Sequence, residues 1–307
     1  MPPTADSRPR SDERVVAPLG RRACEVTDNR QTGGYRIFSA LDAAGPEPRA
    51  GQFYMLAAAE HWGTRSGRPY LPRAFSVAEA EVTDGGVRLD FLVEDVGPGT
   101  ERLASLRQGE RLWVTGPLGR PFSHTSELNS EAAGAILVGG GIGLAPLAIL
   151  RRQLADRGVA IRTLLGFRDQ EHSGGVDELF GCCEVRMASE DGHVGHRGYV
   201  TELLAVLLEG DAARSAAVYA CGPPAMLETV RALCLERDVD AELAMETPMA
   251  CGFGACMGCA VPLADGGYMR LCRDGPVVNA AEIELSQSGL PQGGSVEPVR
   301  SRAHYPR

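Results

Sequence analysis

No stretch of this sequence approaches the ~18–20 consecutive apolar residues of a membrane-crossing helix, so a helical anchor is not expected. Met1 to Arg14 is rich in Pro, Ser, Arg and Asp and lacks the apolar core of a secretory signal, which argues against export. Positive charge is scarce too: 31 basic residues face 40 acidic ones, a formal net charge of −9. Gripping a phosphate backbone needs a basic face, so nucleic acid is not an expected partner. No internal repeat is visible.

What is present points to metal chemistry. At 307 residues and 44% apolar composition, the chain can bury two domain cores and carry a small appendage. Nine cysteines without an export signal suit a reducing cytoplasm. Four of them form one pattern: Cys251, four residues, Cys256, two residues, Cys259, then twelve residues to Cys272. Three thiolates from one loop and a distant fourth are what a [2Fe–2S] cluster of the plant-ferredoxin type needs. Gly252, Gly254 and Gly258 lie between these ligands and let the backbone wrap tightly, leaving N–H groups to face sulfides. A structural zinc site, usually built from paired C-x2-C or His ligands, and disulfides are the alternatives. Of Cys24, Cys182, Cys183, Cys221 and Cys234, only Cys221 is a candidate for function.

Residues 1–15 are polar and aperiodic, and disorder is expected there. Residues 16–125 carry strand signals. Val87, Leu89, Phe91 and Val93 alternate with Arg88, Asp90 and Glu94, as in a half-buried strand. Tyr35–Ser39, Gln52–Leu56, Arg73–Val77 and Arg111–Thr115 read alike, with one short helix over Gly99–Leu106. Together they suggest a small antiparallel β-barrel. After a polar linker, Ser123–Glu131, residues 132–240 alternate strand and helix. Strands are expected at Ala135–Val138, Ala160–Leu165, Glu184–Met187 and Ala216–Ala220. One helix should carry Leu147, Leu150 and Leu154 on one face, another covers Thr201–Leu208, and a third starts at Pro223 with Met226, Val230 and Leu233 on one side. That alternation implies a Rossmann-like parallel sheet. Residues 241–285 would form the cluster subdomain and 286–307 a flexible tail.

Within the α/β region, Gly139, Gly140, Gly141 and Gly143 precede Pro146 where a strand feeds a helix. Such a turn lets backbone approach a pyrophosphate and supplies helix N-terminal N–H groups, although the strict G-x-G-x-x-G fingerprint is missing. Cys221, Gly222 and Pro223 end a second strand, where Cys221 would project toward the same pocket and act in hydride transfer. Either turn could also be purely structural. Carboxylates in Ser189-Glu190-Asp191 would repel a 2′-phosphate, whereas Arg168 would attract one; NAD is expected over NADP. In the barrel, Arg73 and Ser76 on one strand and Gly99 and Thr100 at a helix start could serve a flavin and its phosphates. An exposed arginine beside a core Phe75 explains the first pattern equally well.

The combination of Arg73-Ala74-Phe75-Ser76, Gly99-Thr100, Gly116-Pro-Leu-Gly119, the Gly139–Pro146 turn, Cys221-Gly222-Pro223 and the four cluster cysteines resembles the ferredoxin–NAD(P) reductase superfamily. Within it the chain is most similar to the electron-transfer subunits of two-subunit, NAD-linked dihydroorotate dehydrogenases, over about residues 16–285. The resemblance implies a barrel binding FAD, an α/β domain binding NAD, and a [2Fe–2S] subdomain facing an FMN-containing dihydroorotate dehydrogenase catalytic subunit, in a heterotetramer of two of each. It places the Arg73–Ser76 strand against the flavin and Gly99-Thr100 at its pyrophosphate. Ala74 stands where the family usually has proline, and His61–Leu71 is an insertion. Electrons would cross singly from the partner through the cluster to FAD and leave as hydride to NAD+; the chain shows no dihydroorotate site of its own. Alternatives are a relay subunit of a hydrogenase, sulfite reductase or ferredoxin–NADP reductase complex, a self-contained reductase serving an oxygenase, and a non-enzymatic redox sensor.

Overall fold

A computed structural model describes residues 20–63, 69–124, 134–181, 184–210, 215–283 and 285. The expectations for both termini, for Cys182-Cys183, for most of the 123–131 linker and for the middle of the 61–71 insertion lie outside those residues. Six strands close an antiparallel barrel: β1 (Arg22–Thr32), β2 (Tyr35–Asp42), β3 (Phe53–Ala58), β4 (Arg73–Thr83), β5 (Gly86–Val93) and β6 (Arg111–Leu118), in the order β1-β2-β5-β4-β3-β6. Helix α1 (Pro98–Ala104) joins β5 to β6. Alternation along the strands turns Ile37, Leu56, Leu89, Phe91 and Val114 out of solvent. Arg22 on β1 ties three strands together: its Nη2 donates to Asp42 on β2 and to the Gly116 carbonyl on β6, both at 2.6 Å.

One expected alternation gives way. Asp90 and Leu92 of β5 belong to the polar side of the pattern or its continuation, yet both are buried. A second structural unit covers that face; a Cβ on Gly175 would stand 3.7 Å from Leu92 Cδ1.

That unit runs β7 (Gly134–Gly140), α2 (Leu144–Ala155), β8 (Ala160–Phe167), α3 (Val176–Phe180), β9 (Val185–Ser189), β10 (His196–Arg197), α4 (Val200–Leu208), β11 (Ala216–Cys221), α5 (Pro224–Glu236) and β12 (Ala241–Ala244). The cluster segment follows as a hairpin, β13 (Ala260–Pro262) and β14 (Tyr268–Arg270), a short helix α6 (Leu271–Asp274) and β15 (Val277–Asn279). The main sheet has the order β10-β9-β8-β7-β11-β12-β15 and is parallel except for β15. Buried apolar runs such as Ala216–Ala220 suit strands covered on both faces. Both β12 and β15 come from residues 241–285, so the cluster loop is an excursion from the α/β sheet and returns to it. Helix α5 buries Leu227, Val230 and Cys234, with Met226 and Leu233 half-buried at the margins.

The two units interlock. The tip of the β1–β2 hairpin enters the segment before α3: Gly34 N donates to Glu171 O at 2.9 Å, and Arg30 Nε meets Glu178 Oε2 at 2.6 Å. A Cβ on Gly174 would lie 2.7 Å from Gly33 Cα, so only glycine admits this approach. Helix α2 leans on β4 through Arg152 Nε and Glu79 Oε1, 2.7 Å apart. Among the described residues no helix is long and apolar enough to cross a membrane.

Candidate functional site

A cleft of about 1080 Å³ opens between the barrel, the carboxyl ends of the parallel strands and the C-terminal segment. On the barrel side Arg73, Ala74, Phe75 and Ser76 of β4 line it, with Thr100 from α1. Gly99 is buried behind them, and a Cβ there would lie 2.8 Å from Arg73 Nε, so its bareness lets the guanidinium lie against the helix start. Arg73 Nη1 donates to Leu71 O at 2.7 Å. The Thr100 hydroxyl accepts from the N–H groups of Val96 and Gly97 at 3.0 Å each and donates to Gly97 O at 2.9 Å, holding the turn in shape.

On the α/β side two strand-end turns meet. Gly140, Gly141 and Pro146 of the first and Cys221, Gly222 and Pro223 of the second line the cleft. Gly139 and Gly143 do not; they pack. A Cβ on Gly143 would stand 2.7 Å from Gly222 N and closer still to Cys221 O, and one on Gly222 would stand 3.0 Å from Gly140 Cα. The glycines thus bring the ends of β7 and β11 backbone to backbone. Here the strand order reverses, since β8 and β9 run off one side of β7 and β11 lies on the other. Ligands of open α/β sheets bind at such a switch point, and the twelve-residue α2 begins there with its N–H donors and positive dipole end.

Cys221 is only 2% exposed. Burial first, and then nearby Glu246, push its thiol well above the ordinary range, so it remains a neutral thiol. Glu246 also lines the cleft, reachable by solvent yet walled by protein, and that burial raises its carboxyl pKa. Sequence reasoning gave no role to Glu246, Tyr35, Glu94 or His172, all of which line the cleft. A carboxylate just beyond the end of β12 was a readable signal for the first; the other three arrive only through folding. Arg168 and Glu190 face the same cleft.

In the cluster segment Cys259 and Cys272 are each 2% exposed, Cys251 is half-buried and Cys256 exposed. Cys259 Sγ and Cys272 Sγ are 3.2 Å apart, well beyond the ~2 Å of a disulfide bond. Cys251 and Cys256 form a second pair through a thiol hydrogen bond. Two pairs fit a binuclear cluster, in which each iron takes two thiolates. Among the described residues no three His, Cys, Asp or Glu side chains converge on one point. Burial raises the Cys251 thiol, but the N–H groups of Cys256, Phe253 and Ala255 and the Cys256 thiol outweigh it and bring it down to about 6. Burial, then Cys259, push Cys272 up to about 12. Cys251 is thus set to be a thiolate near neutrality, whereas Cys272 becomes one only together with a cation.

The loop rests on the barrel. Gly252, at φ 79, passes so close to β3 that a Cβ would stand 2.6 Å from Met55 Cγ. Two residues earlier on the same face of β3, Phe53 lines the cleft. Arg270 Nη1 donates to Gly254 O at 2.9 Å, and Leu271 N to Cys259 O at 3.1 Å, closing the loop over its far pair. Phe253 and Met257, 52% and 53% exposed, form an apolar rim beside Cys256.

The profile of the iron–sulfur cluster binding domain of dihydroorotate dehydrogenase B matches residues 246–284. The electron transfer subunit of dihydroorotate dehydrogenase B (NAD(+)) from Caldanaerobacter subterraneus subsp. tengcongensis is 32% identical over 262 residues, 84% of this chain and 96% of that protein. The same subunit from Clostridium perfringens is 35% identical, covering 81% of this chain and 92% of that one. Two solved structures share the fold. A chain of an NADH-dependent reduced ferredoxin–NADP oxidoreductase has a TM-score of 0.73 at 24% identity, over 86% of this chain and 90% of that chain. Phthalate dioxygenase reductase has 0.57 at 19%, over 85% and 95%. Identity above 30% along nearly the full length of these relatives shows that the chain belongs to the family of dihydroorotate dehydrogenase B electron transfer subunits.

Proposed function

We propose that this chain carries electrons between an FMN-bearing subunit that oxidises dihydroorotate and NAD+, in the cytoplasm, as one of two copies in a heterotetramer of two of each subunit. FAD in the cleft would exchange two electrons with a nicotinamide and single electrons with a [2Fe–2S] centre. Arg73 to Ser76 form the wall such a flavin would lie against, and Gly99-Thr100 the helix start for its phosphates. Gly140, Gly141 and the start of α2 would hold the pyrophosphate of NAD, with neutral Cys221 beside its ring. Cys251, Cys256, Cys259 and Cys272 would hold the iron. Residues 16–125, 132–240 and 241–285 divide accordingly into flavin, nucleotide and cluster portions, the last sharing the nucleotide sheet. One observation carries this reading: neighbouring same-face residues of β3 support the cluster loop and line the cleft, so the two electron sites share a wall.

The test is an anaerobic preparation of the native complex assayed for NAD+ reduction with dihydroorotate as sole donor. Turnover with a co-purifying FMN protein is expected. Its absence, with iron and FAD both bound, would reassign the chain to another oxidoreductase partner.

A further inference from the structure

Arg168 is the residue that sequence alone would use to bind a 2′-phosphate. It ends the strand next to the nucleotide turn, and its side chain is 60% exposed at the cleft. Folding surrounds it with negative charge. Glu94, which follows β5 in the barrel, places Oε1 3.2 Å from Arg168 Nη2, and Asp169 Oδ2 lies 3.5 Å from Arg168 Nε. His172 fixes the group: its Nδ1 is 2.6 Å from Asp169 Oδ1, its Nε2 is 3.4 Å from Glu94 Oε1, and both ring nitrogens touch Arg168. Tyr35 closes the far side with its ring edge-on to the imidazole, centroids 5.6 Å apart. Glu190 adds another carboxylate to the same cleft.

We propose that Glu94, a barrel residue, determines nucleotide choice by neutralising Arg168 across the domain interface, so that the cleft rejects NADP. This rests on the reading of the cleft as an NAD site. One guanidinium shared by two carboxylates has no net positive charge to offer a phosphate dianion, and a third carboxylate waits at Glu190. Releasing Arg168 from Glu94 would remove one charge opposing a 2′-phosphate held by Arg168, a change in relative affinity on the order of tenfold. The barrel thereby selects for a ligand bound mainly by the other domain.

Equilibrium binding of NAD+ and NADP+ to the cofactor-loaded chain, by calorimetry at fixed ionic strength, tests this without turnover. Glu94→Gln should narrow the preference for NAD+ about tenfold by tightening NADP+, while Glu94→Asp, which keeps the charge, should leave it near the native ratio. In an Arg168→Ala background Glu94→Gln should add nothing. An unaltered ratio in Glu94→Gln overturns the proposal, and so does a gain that persists without Arg168, because direct repulsion by Glu94 would then be the cause. If the native chain binds neither nucleotide, the NAD-site reading itself fails and this inference with it. Native binding of NAD+ with no response to Glu94 discards only the role of Glu94.

Discussion

Cys221 illustrates how far a residue's chemistry is set by its burial. Held as a neutral thiol at the end of β11, it would offer a nicotinamide in the cleft a small polarizable surface and no nucleophile. Cys221→Ala should therefore slow NAD+ reduction on the order of tenfold, about 1.4 kcal/mol of barrier, with the iron–sulfur absorbance retained. Stopped-flow rates and the visible spectrum check both halves, and an unaltered rate would leave Cys221 as packing alone. Gly143 does not line the cleft, yet its substitution should be felt. Gly143→Ala drives a methyl into the Cys221-Gly222 backbone and should cost about 1–3 kcal/mol, read as a lower urea midpoint. At this scale the sequence was most legible where residue type and spacing go together: the structure brings the four spaced cysteines together as two pairs and sets the Cys221 turn at the cleft. It was silent on the pairing of Glu94 with Arg168, 74 positions apart, because that contact exists only after two units dock. For the nucleotide turn it was half legible: Gly140 and Gly141 reach the cleft, whereas Gly139 and Gly143 serve the contact between turns.

Among the elements, the β1–β2 hairpin has a double life, closing the barrel and clamping the α/β unit. Two carboxyls of that junction have depressed pKa values. For Glu178, burial works upward and hydrogen bonds from Arg30 and Thr32 outweigh it; for Asp169, side-chain and backbone hydrogen bonds to His172 are the causes. A carboxyl that binds its proton less readily when folded stabilises the fold above the ordinary carboxylate range of about 4, and that contribution fades as pH falls through the folded values. Melting temperatures measured from pH 6 down to pH 3 should fall, and Glu178→Gln should flatten part of that slope. An identical slope in the variant would remove this pair from the acid response. Periodicity found five of the six barrel strands, all but β1, and β7, β8, β9 and β11 of the α/β unit in their order. It misjudged the covered face of β5, since alternation reports only what one strand presents and not what another unit lays over it.

On the scale of the whole molecule, the cluster segment is not an appendage hung on the end. It leaves the sheet at β12 and rejoins it at β15, with Cys259 and Cys272 buried in the same apolar cluster as Val218, Val230 and Leu243. Cys272→Ser, or removal of iron by a chelator, should therefore lower the melting temperature of the chain by several degrees as well as bleach it. A bleached protein that melts unchanged would show that the segment folds independently of its metal. The basic residues of the chain are all arginine, 31 of them, and several act as forks between elements, as Arg22 does for three barrel strands. Asp42→Ala would leave that half-buried guanidinium with the Gly116 carbonyl alone and should cost about 1–3 kcal/mol by urea unfolding.

The short step along β3 from Phe53 to Met55 has a kinetic meaning. Two residues of extended chain span about 7 Å, and β3 is pinned by β4 on one side and β6 on the other. The step from Phe53 in the cleft to Met55 under the cluster loop is therefore set by the spacing of the strand itself. Traffic through the chain would then be tuned at its two ends, by what fills the cleft and by what seats itself on the apolar rim around Cys256.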